Sequence, residues 1–220
     1  MIAEEIKKIH AELPDGVKLC AVSKFHPAEA VREAYEAGQR IFGESRVQEL
    51  LAKVGELPSD IQWHFIGHLQ TNKVRSLIGK TSLIESVDSE RLLELIDRES
   101  DRVGVVTRVL MQIHVAKEET KFGFSPEELL EYFEQRRFQS LKATHICGVM
   151  GMASNTDDIT RVREDFRLIS QTHRRILDIA PDLRNFDIVS MGMSGDWHIA
   201  VEEGSTLVRI GTAIFGERVY

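Results

Sequence analysis

Eight short apolar runs, rich in β-branched residues, recur along this 220-residue chain and alternate with longer segments of helical period. Buried parallel strands read as short continuous apolar runs, so we expect each run to form a strand. The predicted strands are Leu19–Ser23, Arg40–Gly43, Gln62–Ile66, Leu83–Val87, Arg108–Val115, His145–Met150, Asp187–Met191 and Thr206–Ile210. Strand, helix and strand joined by right-handed crossovers make a parallel sheet, and eight such units close a (β/α)8 TIM barrel. An open doubly wound sheet is the main alternative to this α/β barrel.

The segments between the runs predict amphipathic helices, and no Gly/Ser/Pro-rich linker, low-complexity tract or readable repeat interrupts the alternation. The clearest helices are Ala28–Ala37, Arg46–Val54, Glu90–Arg98, Pro126–Arg137 and Asp157–Ile179. A charged amphipathic helix over MIAEEIKKIHAEL precedes the first strand. We therefore predict a single domain that spans residues 1–220 and carries an N-terminal helix.

The 28 Lys and Arg residues are scattered among 35 Asp and Glu residues, which gives a net charge of −7. This pattern argues against nucleic acid or an anionic membrane surface as a partner. No window is apolar for long enough to cross a bilayer, and the N-terminus lacks a signal-peptide core. We expect a monomeric, cytoplasmic protein. Its two cysteines, Cys20 and Cys147, lie in apolar runs, which predicts buried free thiols rather than a disulfide or a zinc site.

Lys24 stands at the end of the first predicted strand, shortly before Pro27 opens a helix. In a barrel the loops after the strands build the active face, so this lysine would lie at the mouth. Burial favours the neutral amine, which is the form that makes a Schiff base with a carbonyl group. A lysine whose apolar stem covers the rim while its ammonium reaches water is the structural alternative.

Two glycine-rich stretches follow the seventh and eighth predicted strands. SMGMSGDWH, residues 190–198, runs into a predicted helix at Asp196, and VRIGTAIFGER, residues 208–218, offers Gly211 and the hydroxyl of Thr212. Free backbone N–H groups at such loops bind anions, and barrels commonly hold a phosphate after strands seven and eight. Each stretch alone also fits an ordinary glycine loop. Opposite a lysine, the two together indicate a phosphorylated carbonyl compound, for which pyridoxal 5′-phosphate is the obvious candidate.

Two further stretches follow the second and third predicted strands. WHFIGHLQTNK, residues 63–73, places His64 and His68 four residues apart, but the two do not share a helix face and lack a third ligand at readable spacing, which argues against a metal site. Core packing is the default for Trp63 and Phe65, and the functional alternative is that His64 or Gln70 lines the cofactor mouth. FGESRVQELLAK, residues 42–53, ends a strand at Ser45 and caps a helix.

Several motifs occur in order from Leu19 to Arg218: AVSK with a following Pro, FGES-RVQE, WHFIGHLQTNK, ESVDS, KFGF, GVMGM, SMGMSGDW and RIGTAIFGER. This pattern resembles the pyridoxal phosphate homeostasis protein family, the single-domain relatives of the N-terminal barrel of alanine racemase. The resemblance implies a barrel that carries pyridoxal phosphate on Lys24. It also implies that Ser194, Gly211 and Thr212 hold the phosphate and that Arg209 lies beside the pyridine nitrogen, with Ser190 as a further contact.

The chain departs from the family pattern at two positions. Ser45 stands where the family usually has Asn, which puts in doubt a polar contact at that position, and Glu85 stands where it usually has His before Ser-Val-Asp. Neither departure touches the lysine or the phosphate loops.

An arginine beside the pyridine nitrogen disfavours its protonation, so the cofactor would stabilise carbanions poorly. The chain ends at Tyr220, soon after the eighth strand, so we expect no second domain that would supply an opposing acid or base. Both features predict a protein that stores pyridoxal phosphate and delivers it to apo-enzymes, without appreciable catalysis. A small amino-acid racemase with Lys24 as its base is the alternative, and a barrel for another phosphorylated metabolite is a third.

Overall fold

Eight parallel strands close into a barrel in chain order, with β8 paired to β1, in the computed structural model, which describes residues 1–115 and 122–217. The strands are β1 Lys18–Val22, β2 Ile41–Glu44, β3 Gln62–Phe65, β4 Leu83–Val87, β5 Thr107–Ile113, β6 Thr144–Gly151, β7 Ile188–Ser190 and β8 Leu207–Ile210. The predicted (β/α)8 barrel is confirmed, and the open doubly wound sheet is wrong. The predicted loop after the fifth strand begins at Ala116 and Lys117, which lie outside the described residues, as do Arg218 and Tyr220.

Helices surround the barrel and connect its strands. They are α1 Ile2–Glu12, α2 Ala28–Glu36, α3 Val47–Glu56, α4 Val74–Leu77, α5 Glu90–Val103, α6 Pro126–Glu134, α7 Ile159–Ile179, α8 Trp197–Glu202 and α9 Thr212–Phe215. Helix α5 runs past its predicted end because Gly104 provides the left-handed cap, and α6 ends early because Arg136 adopts a left-handed conformation. The four residues of α4 and of α9 are too few to show a helical period in the sequence. Within the ranges that the structure describes, no helix is long and apolar enough to span a membrane.

Apolar side chains form a large core between the barrel and its helices and a smaller cluster inside the barrel. In β1 the side chains alternate, since Leu19 and Ala21 belong to the large core and Cys20 to the inner cluster. The inner cluster contains Cys20, Leu83, Leu110, Cys147, Met150 and Leu207. Both cysteines are buried and free, as predicted, and burial raises the pKa of each thiol. The barrel interior is therefore a packed core whose polar groups need partners within it.

Candidate functional site at the barrel mouth

Lys24 lies in the turn that follows β1, at the mouth of the barrel, and is partly buried. Ser23 before it is fully buried, and Phe25 after it has a φ of 68°, a left-handed conformation that is uncommon for a residue other than glycine. The turn thus places Lys24 at the end of the barrel where the loops that follow the strands lie.

The loops after β7 and β8 meet beside this turn. The hydroxyl oxygen of Ser194 accepts hydrogen bonds from the backbone N–H groups of Gly211, at 3.3 Å, and Ala213, at 3.5 Å. Thr212, the first residue of α9, has an exposed side chain. A side chain at Gly211 would crowd β1, because its Cβ would lie 3.1 Å from the carbonyl oxygen of Val22. Ser194 and Gly211, two of the residues predicted to hold a phosphate, are therefore in contact with each other. Gly211 also approaches Val22, which stands two residues before Lys24 in the chain.

A buried polar network crosses the barrel interior below the mouth. Nη1 of Arg209 donates to the hydroxyl of Ser190 at 2.5 Å, and Nη2 donates to the carbonyl oxygen of Gly151 at 3.0 Å. The Ser190 hydroxyl donates to Oε2 of Glu85 at 2.6 Å, and that oxygen lies 3.7 Å from Nη1 of Arg209. Oε1 of Glu85 lies 2.6 Å from Nδ1 of His64. The guanidinium is thus fixed by neighbours on β4, β6 and β7.

Glu85 balances the charge of Arg209 inside the barrel. It is fully buried, and burial opposes its ionisation, but His64, Arg209 and Ser190 outweigh burial and hold the pKa of Glu85 below its usual value. An ionised Glu85 accepts hydrogen bonds only, so Nδ1 of His64 carries the shared proton. The sequence gives one signal for this role, a charged residue in the middle of the apolar run LIESV.

Ser45 and His64, the other two predicted site residues, lie at different depths. Ser45 follows β2 at the mouth. The loop after β3 packs closely against its backbone, since a Cβ on Gly67 would lie 2.3 Å from the Ser45 carbonyl oxygen. His64 lies deeper and lines a cavity of about 220 Å³ at the amino ends of the strands, together with Lys18 and Arg108. His64 therefore reaches Arg209 only through Glu85.

A second cavity, of about 340 Å³, opens at the mouth itself. Its lining comes from the ends of β3, β5, β6 and β7 and includes Ile66, Gln112, Met152 and Met193. The volume lies in the usual range for small-ligand sites, about 300–1,000 Å³. Apolar side chains such as Ile66, Met152 and Met193 line part of this cavity, which suits a ligand that contains an apolar ring.

The ligand atoms of Cys20, His64 and Glu85 lie within 4.8 Å of one another, which raises the question of a metal ion. Burial raises the pKa of the Cys20 thiol well above its usual value, which disfavours the thiolate that metals bind. The positive charge of Arg209, 3.7 Å from Glu85, also opposes a cation. The side chains fit a hydrogen-bonded network better than a metal centre.

Comparisons with known proteins bear on the family and the fold of the chain. The model of the alanine racemase N-terminal domain family matches residues 1–219. A pyridoxal phosphate homeostasis protein of Aquifex aeolicus is 41% identical over 206 residues, which cover 92% of this chain and 88% of that protein. One of the same name from Schizosaccharomyces pombe is 37% identical over 207 residues, covering 92% and 85%.

Solved structures show the same likeness. PipY of Synechococcus elongatus, solved with PLP bound, superposes with a TM-score of 0.89 at 38% identity over 98% of this chain and 100% of PipY. Alanine racemase of E. faecalis superposes with a TM-score of 0.75 at 21% identity, over 98% of this chain and 57% of the racemase, which shows a shared fold.

Proposed function

This chain belongs to the pyridoxal phosphate homeostasis protein family, whose fold is that of the alanine racemase N-terminal domain, and from that premise we propose that it holds pyridoxal phosphate as a Schiff base on Lys24. Its role would be to store the cofactor in the cytoplasm and release it to apo-enzymes. The observation that supports the proposal is the close approach of Gly211, whose N–H donates to Ser194, to Val22 at the end of β1, two residues before Lys24.

The residues fit the cofactor at each of its functional groups. The backbone N–H of Thr212 and the hydroxyl hydrogen of Ser194, whose oxygen accepts from the N–H of Gly211, suit a phosphate. The amine of Lys24 suits the aldehyde. The guanidinium of Arg209 can only donate hydrogen bonds, which suits an unprotonated ring nitrogen.

Three other residues take supporting places in this proposal. Ser190 and His64 act through Arg209 and Glu85, since they complete the network that fixes the guanidinium. Ser45 lies at the rim, directly after β2. None of the three needs to touch the cofactor for the site to hold it.

Arg209 favours storage over amino-acid chemistry. Pyridoxal phosphate, when bound, acts as an electron sink that stabilises carbanions, and it does so best with a protonated ring nitrogen. A permanently charged guanidinium disfavours that protonation. The proposed function is therefore retention and release of the cofactor. Amino-acid racemase activity is the competing hypothesis that the experiment must exclude.

The experiment combines absorbance, mass and transfer. Purified protein given pyridoxal phosphate should show a band at about 400–430 nm, and borohydride should fix the adduct to the chain. The mass increase should persist in Lys80→Ala, which changes an exposed lysine, and disappear in Lys24→Ala. An adduct that survives in Lys24→Ala would show that another lysine binds the cofactor.

A second arm separates carrier from racemase. The loaded protein should restore activity to an apo-enzyme and should not exchange deuterium into the Cα position of L- or D-amino acids at enzymatic rates. Lys24-dependent exchange without transfer would establish the racemase instead.

A further inference from the structure

A buried ionic cluster lies between the barrel and α3, directly behind the turn that bears Lys24. Its centre is Lys53 of α3, which is only 5% exposed. The Lys53 ammonium donates to the carbonyl oxygen of Ser23 at 2.9 Å, to Oε1 of Glu44 at 2.7 Å and to Oε1 of Glu49 at 3.1 Å. An ammonium has three N–H groups, so each has an acceptor.

The same carboxylates hold the turn from the other side. Oε1 of Glu49 accepts a hydrogen bond from the backbone N–H of Phe25 at 2.6 Å, and Oε1 of Glu44 accepts one from the hydroxyl of Ser23 at 2.6 Å. The Ser23 carbonyl and the Phe25 N–H belong to the two peptide groups that flank Lys24. Both peptide groups are therefore tied to α3.

The turn needs such ties because its conformation is unfavourable. Phe25 has a φ of 68°, where the Cβ of an L-residue crowds its own backbone. The guanidinium of Arg46 lies 4.5 Å from the centre of the Phe25 ring, and the ring of His26 stacks on Phe215 of α9 at 5.2 Å. Contacts from α3 and α9 thus keep a strained turn in one conformation.

Stability alone does not explain a cluster of this kind. Glu44 is fully buried, its Oε2 has no hydrogen-bond partner, and burial raises its pKa although Lys53 and Ser23 oppose the shift. Well-packed apolar side chains are often as stable as a buried ion pair, whose best-attested advantage is a defined geometry. The geometry defined here is that of the peptide groups on both sides of Lys24.

We propose that Lys53, Glu44 and Glu49 are positioning residues that fix the direction in which Lys24 leaves β1, so that its amine is presented to the aldehyde of pyridoxal phosphate. The proposal rests on the function proposed above. Its measurable consequence is the rate of Schiff base formation, because a reacting group that must first find its orientation reacts more slowly.

The main test variant is the double substitution Glu44→Gln and Lys53→Met, which removes both buried charges together and leaves only the 20% exposed carboxylate of Glu49 without its ammonium partner. We expect Schiff base formation, followed by stopped-flow absorbance, to slow by about tenfold or more. Affinity for pyridoxamine 5′-phosphate should stay unchanged, because this ligand has the phosphate and ring but no aldehyde. Lys80→Met, which changes an exposed lysine, is the matched control.

A second pair of variants tests the contact with Phe25. Glu49→Gln keeps an acceptor for the Phe25 N–H and should retain the wild-type rate, whereas Glu49→Ala should slow the reaction. The Glu49 side chain is 20% exposed, so Glu49→Ala serves as the test should the double variant fail to fold. A loss of thermal stability with an unchanged rate constant in the folded variants would overturn the positioning role.

Hydrogen exchange separates this proposal from the one on which it rests. A wild-type protein that forms no Schiff base at Lys24 would refute the proposed function. The role of the cluster would then be decided by exchange of the Phe25 amide, which should be faster in Glu49→Ala than in Glu49→Gln. Equal rates of Phe25 amide exchange in the two variants would show that Glu49 does not stabilise the turn.

Discussion

Replacing Glu85 by Gln removes the negative charge that faces Arg209 inside the barrel while keeping the size of the side chain. The glutamine can still hydrogen bond to His64 and Ser190, because its amide both accepts and donates and the imidazole can exchange tautomers. The change therefore isolates the electrostatic contribution of a fully buried carboxylate.

The structure gives the expected size of the effect. Oε2 of Glu85 lies 3.7 Å from Nη1 of Arg209. At that separation two unit charges attract by about 4 kcal/mol with an effective dielectric constant of ~20. Removal of one member of a buried ion pair typically costs about 3–5 kcal/mol, because the remaining charge stays desolvated. We expect Glu85→Gln to lower the free energy of unfolding by about 3–5 kcal/mol at neutral pH, a large part of the roughly 5–15 kcal/mol of a typical domain.

Denaturant unfolding of the apo-protein over a range of pH measures this loss. The folded protein holds the pKa of Glu85 below its usual value, so the carboxylate stabilises the fold above the ordinary glutamate range and loses that contribution as the pH falls through its lowered pKa. The difference between wild type and variant should therefore be full at neutral pH and shrink in acid.

The matched control for this experiment is Glu202→Gln. Glu202 pairs with Arg163 at a surface position where its side chain is 60% exposed. Exposed pairs contribute about 0–1 kcal/mol, so this variant should unfold nearly as the wild type does. If Glu85→Gln also costs less than about 1 kcal/mol, or if its effect does not change with pH, the charge balance inferred for the barrel interior is refuted.

Three further predictions concern the cradle and the helix layer. Ser194→Ala should weaken binding of pyridoxal phosphate by about 1–2 kcal/mol in calorimetry and leave the weaker binding of pyridoxal unchanged, because only the phosphate uses the hydroxyl; equal losses for both ligands would contradict the cradle. Gly211→Ala should speed release of the cofactor, since the new Cβ would press on the carbonyl oxygen of Val22, 3.1 Å away, and displace the loop; an unchanged release rate would show that the loop tolerates a side chain. Burial lowers the pKa of His173, although a hydrogen bond between its ring nitrogen and the carbonyl oxygen of Phe186 opposes the shift. The neutral imidazole therefore stabilises the fold at pH values above the ordinary histidine pKa, and this contribution is lost as the pH falls through the lowered pKa. His173→Gln should flatten the fall in melting temperature on acidification, and an unaltered pH profile would exclude the assignment.

The sequence predicts those parts of the fold and the site that depend on local pattern. Every predicted strand overlaps an observed one, because a buried parallel strand is visible as an apolar run. Lys24, Ser194 and Gly211 could be placed at the mouth for the same reason, since each follows such a run within three residues.

The groups that hold these residues could not be predicted, because their partners are remote in the chain. Glu85 and Ser190 are 105 residues apart, and Lys53 is 30 residues from the Ser23 carbonyl that it binds. Glu49 and Lys53 are four residues apart, a spacing typical of ion pairs on exposed helix faces, yet the structure buries Lys53 against the turn after β1. A local pattern can show which residues carry charge, but only the closed barrel decides which charges meet.

The two ionic clusters lie on opposite sides of the sheet and hold different parts of the site. Glu44 stands two residues after Phe42 of the large core, so both point to the outer face of the barrel. Glu85 stands two residues after Leu83 of the inner cluster, so both point to the inner face. The outer cluster fixes the turn of Lys24, and the inner network fixes the guanidinium of Arg209. Both are built on strands and helices, which hold side chains in place more precisely than loops do. A preformed site is consistent with the proposed storage and delivery of a cofactor, because binding and release would then require no rearrangement of the barrel.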